Sequence, residues 1–123
     1  MNRIAVILLL LPLMLCGGCA TINPGADPVV VNAERTIEIA RVTLDSFVRF
    51  EFNQRAKCPK EVQDAAEAIR KNAPEWFNRA LRFKQAYKLN RNAENKATLL
   101  TAVAVLQTAA GEAATALAKH QSK

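Results

Sequence analysis

From about residue 28 onward, apolar positions recur with the period of an α-helix. Asp27 and Pro28 suit a helix start, because aspartate caps free backbone amides and proline is tolerated in a first turn. We predict a long first helix from Pro28 to about Lys57, with Phe50 and Phe52 widening its apolar face near the end. Spacings of three and four place the following residues on one side of it: Val30, Ala33, Ile37, Ala40, Leu44 and Phe47.

The opposite side of this predicted helix carries acids and bases in alternation. Residues three or four apart are neighbours on a helix surface, so several of these charges are spaced to attract one another. We interpret this side as a solvated face and assign it no chemistry. Its members are Glu34, Arg35, Glu38, Arg41, Asp45, Arg49, Glu51 and Arg55.

Two prolines further along the chain indicate helix boundaries. Pro59 disfavours helix at Cys58 and suits the first turn of a new helix. A short amphipathic helix with Val62, Ala65, Ala66 and Ile69 on its apolar side is predicted to follow. Pro74 repeats the pattern, so we predict a second short helix after it. Its stripe consists of Trp76, Ala80, Phe83 and Tyr87.

The last predicted helix, from about Ala93 to His120, is the most regular. Asn92 is a candidate cap, and Glu94 suits the positive end of the helix dipole. Its apolar residues alternate at four and three, which is a heptad seam. They are Leu99, Val103, Leu106, Ala110, Ala113 and Leu117.

These elements predict an all-α fold: a small antiparallel bundle of two long and two short helices over residues 28–121. We expect the first and last helices to pack antiparallel along their length. Residues 97–118 contain one charge, Glu112, so a membrane span is the alternative for the last helix. Four threonines, a glutamine and the glutamate are costly in lipid, which favours a buried helix of the bundle.

The beginning of the chain has a different pattern. Arg3 precedes an uncharged, mostly apolar stretch at residues 4–15. A bilayer span needs roughly 20 apolar residues, so this shorter stretch indicates a secretory signal. Gly17 and Gly18 then supply the small residues that signal peptidases need before a cleavage site, and Cys19 follows them.

At Leu15-Cys16-Gly17-Gly18-Cys19 the chain resembles the lipobox of bacterial lipoproteins. The resemblance covers the first twenty or so residues, and the family prefers Leu where this chain has Cys16. It implies a diacylglycerol thioether on Cys19, removal of the signal and acylation of the new amino terminus. An ordinary cleaved signal and an uncleaved anchor are the alternatives.

The resemblance also implies a domain organisation and a location. Residues 1–18 are the expected signal peptide, 19–27 the lipidated cysteine with a flexible tether, and 28–121 the helical bundle. Two or three acyl chains hold a protein firmly on a membrane. Ala20 in the second mature position favours the periplasmic side of the outer membrane, if the host has two membranes.

Formal charge is concentrated in one part of the chain. The sequence has 17 basic and 11 acidic residues, and loss of Arg3 with the signal lowers its net charge of +6 by one. Residues 70–91 alone hold seven basic residues and one acid, Glu75. We therefore predict a surface that binds an anionic membrane, envelope polymer or protein. Its candidate residues are Arg79, Arg82, Lys84, Lys88 and Arg91.

The interleaved aromatic residues leave two interpretations of this basic segment. They face either the bundle core, with the charges on a solvated side, or a membrane interface. We favour core aromatics and still expect an electropositive exposed side. Nucleic acid is not an expected partner, because the protein is predicted to be exported.

Cys58 has no partner in the mature chain if Cys16 leaves with the signal and Cys19 is lipidated. An unpaired cysteine in an oxidising compartment is either buried or intermolecular. The two alternatives are a buried thiol and a disulfide-linked homodimer.

The residue types exclude little but favour a non-enzymatic role. His120 is the only histidine and lies near the end of the chain, so we expect no catalytic site, metal site or cofactor. The favoured hypothesis is a structural or interaction lipoprotein of the cell envelope. The alternatives are a phage-type lysis or envelope-disruption accessory lipoprotein and a binding module for a small apolar ligand.

Overall fold

A computed structural model describes residues 25–121 of the chain. The predictions about the signal and about lipidation of Cys19 fall on residues 1–24 and lie outside the described part. Within it the fold is all-helical, with no strand, and consists of three packed helices. They are α1 (Pro28–Gln54), followed by a 3-10 turn at Arg55–Lys57, then α2 (Lys60–Leu89) and α3 (Ala93–Gln121).

The predicted helix ends agree closely with the structure at three places. Asp27 caps α1, with its Oδ1 accepting a hydrogen bond from the Val29 amide at 2.8 Å. The break at Cys58 and Pro59 separates the 3-10 turn from α2. Asn92 precedes α3, and its Oδ1 accepts from the Asn95 amide at 2.8 Å.

The predicted pair of short helices is wrong, because α2 continues through Pro74. A proline inside a helix costs about 3 kcal/mol, since it removes one backbone hydrogen bond and crowds the preceding turn. Pro74 itself is exposed. The fully buried Ala66 and Ala80 lie on either side of it, so both halves of α2 face the same core.

The reason for this continuity is an apolar seam that runs the whole length of α2. Its spacings of four and three pass through the proline without interruption, as in a coiled coil. The burial of this seam against two neighbours outweighs the local preference of Pro74 for a break. Its members, all buried or half-buried, are Val62, Ala66, Ile69, Ala73, Trp76, Ala80, Phe83 and Tyr87.

Joining the two short helices changes the topology. A chain that reverses twice runs up, down and up, so α1 and α3 are parallel rather than antiparallel as predicted. The packing shows this direction: Val30 and Leu99 share one core cluster, and Leu44 and Ala113 share the other. The first and last helices do pack along their length, with the opposite relative direction.

The core consists of those two clusters, one at each end of the bundle. The apolar stripes predicted for α1 and α3 face it, and Leu99, Leu106 and Phe47 are its largest fully buried apolar side chains. The predicted role of Phe52 in the apolar face is wrong, because its side chain is 72% exposed. Phe47 is the last buried apolar residue of this stripe, and the next buried residue of α1 is Glu51.

By length and composition, α3 is the one helix within residues 25–121 that could span a membrane. Core helices of soluble proteins share these properties, so the likeness is weak evidence for a span. In this bundle the seam of α3 packs against α1 and α2, whereas Leu100 and Val105 on its outer side remain exposed.

We expect Leu106→Ala to destabilise the bundle by about 2–5 kcal/mol, because it removes a fully buried side chain from the contact between helices. Leu100→Ala is the matched control, since Leu100 lies on the same helix and is 48% exposed. Urea denaturation of both variants measures the difference. Equal and small losses of stability would show that the seam of α3 is not packed as described.

Candidate functional site

The basic residues predicted to form one surface are divided by the fold into paired and unpaired groups. Lys84 reaches across to α1, where its Nζ lies 3.0 Å from Oε1 of Glu34, and its side chain is only 19% exposed. The Arg91 Nε lies 3.5 Å from the Asp27 carboxylate. These two residues therefore hold helices together besides carrying charge.

Arg70, another member of the basic segment, is also paired. Its guanidinium donates to the carboxylate of Glu51, which is completely buried. The Arg55 guanidinium lies 3.1 Å from the other carboxylate oxygen of Glu51. A charged group in the interior needs a partner of opposite charge, and the two arginines supply it for Glu51.

The burial of Glu51 corrects its predicted place on a solvated face. A signal for it exists in the sequence, because Glu51 lies four residues after Phe47 and so continues the seam of α1. Glu51 was predicted to be exposed because acidic residues usually are. The period of the seam places this carboxylate inside, towards α2.

Arg79 and Arg82 remain exposed, and neither makes an ion pair within residues 25–121. Together with Lys71 and Glu75 they are spaced four, four and three apart, which places them on one side of α2. We call these four residues the lateral basic face. Three positive charges and one negative charge give it a net positive field.

Lys88 does not belong to the lateral basic face. It is exposed, but it lies nine residues after Arg79, which is two and a half helical turns. It therefore projects from the opposite side of α2, near the end of the bundle where α1 begins. The five predicted residues thus form no single patch: two are lateral, two are paired across helices, and Lys88 stands at one end.

A shallow groove between α2 and α3 adjoins the lateral basic face. It has a volume of about 380 Å³, and Arg79 lies at its rim beside Trp76 and Phe83. Small and apolar residues of α3 form its other wall: Ala97, Thr98, Thr101, Ala102 and Val105. Both aromatic residues are half-buried, so they contribute to the core with one edge and to the groove with the other.

The prediction that the aromatic residues of α2 face the core is therefore confirmed only in part. Tyr87 is buried, whereas Trp76 and Phe83 are only half-buried. The guanidinium of Arg82 lies 5.5 Å from the centre of the Phe83 ring, within the range of a cation–π contact. Arginine and aromatic side chains therefore meet at the surface of α2 as well as being interleaved in the sequence.

A second polar cluster joins the start of α1 to the end of α2. The Tyr87 hydroxyl donates to Oδ2 of Asp27 at 3.1 Å, and Arg91 approaches the same oxygen. The residue that caps α1 therefore also fixes that end of the helix against α2. Tyr87 and Arg91 follow Asp27 by about 60 positions, so sequence spacing alone could not reveal this cluster.

This environment changes the acidity of both partners. Burial of Asp27 by itself would raise the pKa of its carboxyl. Hydrogen bonds from the Val29 amide and the Tyr87 hydroxyl, together with the charge of Arg91, outweigh burial, and the pKa of this carboxyl lies below its usual range. Burial and the hydrogen bond to the carboxylate raise the pKa of Tyr87.

Cys58 is a free, half-buried thiol packed against the cluster that contains Leu44 and Phe47. Its side chain is thus neither fully buried nor fully exposed. A disulfide-linked homodimer stays a prediction.

Within residues 25–121, no group of three or more His, Cys, Asp or Glu side chains is placed to hold a metal ion.

Comparison of the chain with protein-family models, with curated proteins and with solved structures finds no match.

We expect the charge of Asp27 to stabilise the bundle at neutral pH, and we expect this effect to disappear in acid. Because the folded-state pKa lies below the unfolded value near 3.8, the stabilisation is present above that value and is lost as the pH falls through the folded-state pKa. Asp27→Asn keeps a capping side chain but removes the charge. Its melting temperature should be below that of the wild type at neutral pH, and the difference should shrink below pH 3.8.

The Tyr87→Phe background provides the control for this measurement. It removes one hydrogen bond to the carboxylate, so Asp27→Asn should cost less there than in the wild type. A difference that is independent of pH and of Tyr87 would contradict the described cluster.

Proposed function

We propose that this chain is a lipid-anchored protein of the cell envelope whose helical bundle is a structural or interaction module. In this proposal the bundle presents the lateral basic face to an anionic partner. The observation that carries the proposal is the exposure of Arg79 and Arg82 without ion pairs among the described residues, beside the groove lined by Trp76 and Phe83. Unpaired guanidinium groups next to an apolar groove suit a partner with negative charge and some apolar surface.

The proposed anchor is the lipidated Cys19. The signal at residues 1–18 is removed, and residues 19–27 connect the acylated cysteine to the start of α1. The short apolar stretch followed by Gly17 and Gly18 supports this proposal. In a host with two membranes, we place the protein on the periplasmic side of the outer membrane.

The division of the basic segment by ion pairs supports a binding role for one part of it. Arg70, Lys84 and Arg91 each face a carboxylate of the same chain, so their charge is largely compensated. Lys71, Arg79 and Arg82 face only Glu75 on their own side of α2. Positive charge near an anionic surface contributes about 1 kcal/mol per residue, so a few unpaired bases are enough to favour an anionic partner.

Lipidation is tested on the protein exported by a bacterial host. Mass spectrometry of the purified mature chain should show an amino-terminal Cys19 that carries acyl groups, and labelled palmitate should be incorporated. Cys19→Ala is the control and should lose the lipid. A wild-type chain that ends in an unmodified Cys19, or a Cys19→Ala chain that still carries lipid, would overturn the proposed anchor.

The lateral basic face is tested with the unlipidated chain, residues 20–123, and vesicles of anionic or neutral lipid as probes. We expect preference for anionic vesicles at low salt, weakening as salt screens the charges. Arg79→Ser with Arg82→Ser should remove most of this preference. Arg35→Ser with Lys57→Ser is the matched control, because it removes the same charge from exposed positions that also make no ion pair within residues 25–121.

Two results would argue against an anionic partner for this face. One is equal binding of the wild type to both kinds of vesicle. The other is an equal loss of binding in the two double variants, which would mean that only net charge matters.

A further inference from the structure

The turn between α2 and α3 carries the most exposed large apolar side chain among the described residues. Leu89, the last residue of α2, is 78% exposed. Basic residues surround it along the chain at Lys88, Arg91 and Lys96, with one acid at Glu94. Lys88 and Lys96 are exposed, and Arg91 keeps 58% of its side chain exposed despite its contact with Asp27.

The same turn lies at the end of the bundle from which the chain leads back towards Cys19. Asp27 caps α1 and contacts Tyr87 and Arg91, which stand two residues before and two residues after Leu89. The contact fixes the exit of the tether beside Leu89. Because α1 and α3 are parallel, the far end of the bundle is about 40 Å away, at 1.5 Å for each of the 27 residues of α1.

The length of the tether limits the distance of this end from a membrane that holds Cys19. Eight peptide units separate Cys19 from Asp27, and a fully extended chain spans at most about 3.6 Å per residue. The Leu89 end therefore stays within about 29 Å of the anchored cysteine. The far end can approach that surface only if the whole bundle lies down or turns over.

We propose that the turn of residues 88–96 is a membrane-contacting tip, in which Leu89 enters the interface of the anchoring bilayer and Lys88, Arg91 and Lys96 face its anionic headgroups. An apolar side chain flanked by bases is the pattern of interfacial membrane contacts. In the anchored protein the bundle then stands on the bilayer, and the lateral basic face points sideways towards an anionic partner other than that bilayer. The unanchored chain used to test the lateral basic face has no such constraint and can meet a vesicle side-on. This inference rests on the proposed lipid anchor and adds an orientation to it.

The experiment uses the full mature lipoprotein, purified from a bacterial host and reconstituted into vesicles that contain anionic lipid. Cys58→Ser removes the half-buried native thiol, and single cysteines are introduced by Leu89→Cys, Val105→Cys or Phe52→Cys for labelling with an environment-sensitive fluorophore. The three positions report on the tip, on the side of the bundle and on the far end. All three native side chains are exposed, and circular dichroism checks that each variant is folded.

The expected result is a blue-shifted emission and strong quenching by lipid-attached quenchers for the probe at position 89 only. The probes at 105 and 52 should remain in water. Lys88→Ser with Lys96→Ser, or neutral vesicles, should reduce the quenching at position 89. Arg91 is left unchanged in this variant because it also contacts Asp27.

Three outcomes would overturn the inference, and they are distinguishable. A lipidated, vesicle-bound protein whose probe at 89 stays in water refutes the tip while leaving the anchor intact. Stronger quenching at 105 than at 89 shows that the bundle lies on its side or that α3 enters the bilayer. Absence of lipid on Cys19, determined first by mass spectrometry, removes the anchor and this inference together.

Discussion

Each helix of the bundle buries one stripe of residues spaced alternately three and four apart, and the mutual packing of these stripes is the constraint on which the other features depend. Apolar burial is the main favourable term in folding, and a stripe of this period keeps facing its neighbours over the full length of a helix. On α2 the stripe carries the helix through Pro74. On α1 it brings Glu51 inside, where Arg70 and Arg55 must neutralise it. Because the stripe of α2 makes it one helix and not two, the chain reverses direction only twice, and α3 runs parallel to α1.

Most of the local structure could be predicted from the sequence, because its causes are local. The caps at Asp27 and Asn92 depend on side chains one to three residues from the amides that they bind. The seams of α1 and α3 are visible as regular spacings. The continuity of α2 was mispredicted because a rule about proline, which concerns one turn, was given more weight than the apolar seam from Val62 to Tyr87, which extends over about seven turns. A single wrong break then reversed the predicted direction of the last helix.

The candidate site was less predictable, because it depends on pairs of charges far apart in sequence. Lys84 and Glu34 are fifty positions apart, and nothing in either local sequence indicates that they meet. Composition correctly located the excess of positive charge in residues 70–91, but compensation by acids on α1 decides which part of it is available to a partner. The position of the exposed Leu89 also needed the fold, since only the contacts of Asp27 with Tyr87 and Arg91 place that turn beside the start of α1.

An odd number of helices places the two termini of the bundle at opposite ends. A force applied between the start of α1 and Gln121 would act along the helix axes. It would load the seams in shear, so the helices would have to slide past one another all at once. A bundle with an even number of helices would bring its termini to one end and could be peeled apart helix by helix. The parallel arrangement of α1 and α3 thus gives this domain the geometry of a short strut, about 40 Å long, which would transmit force applied at its two ends.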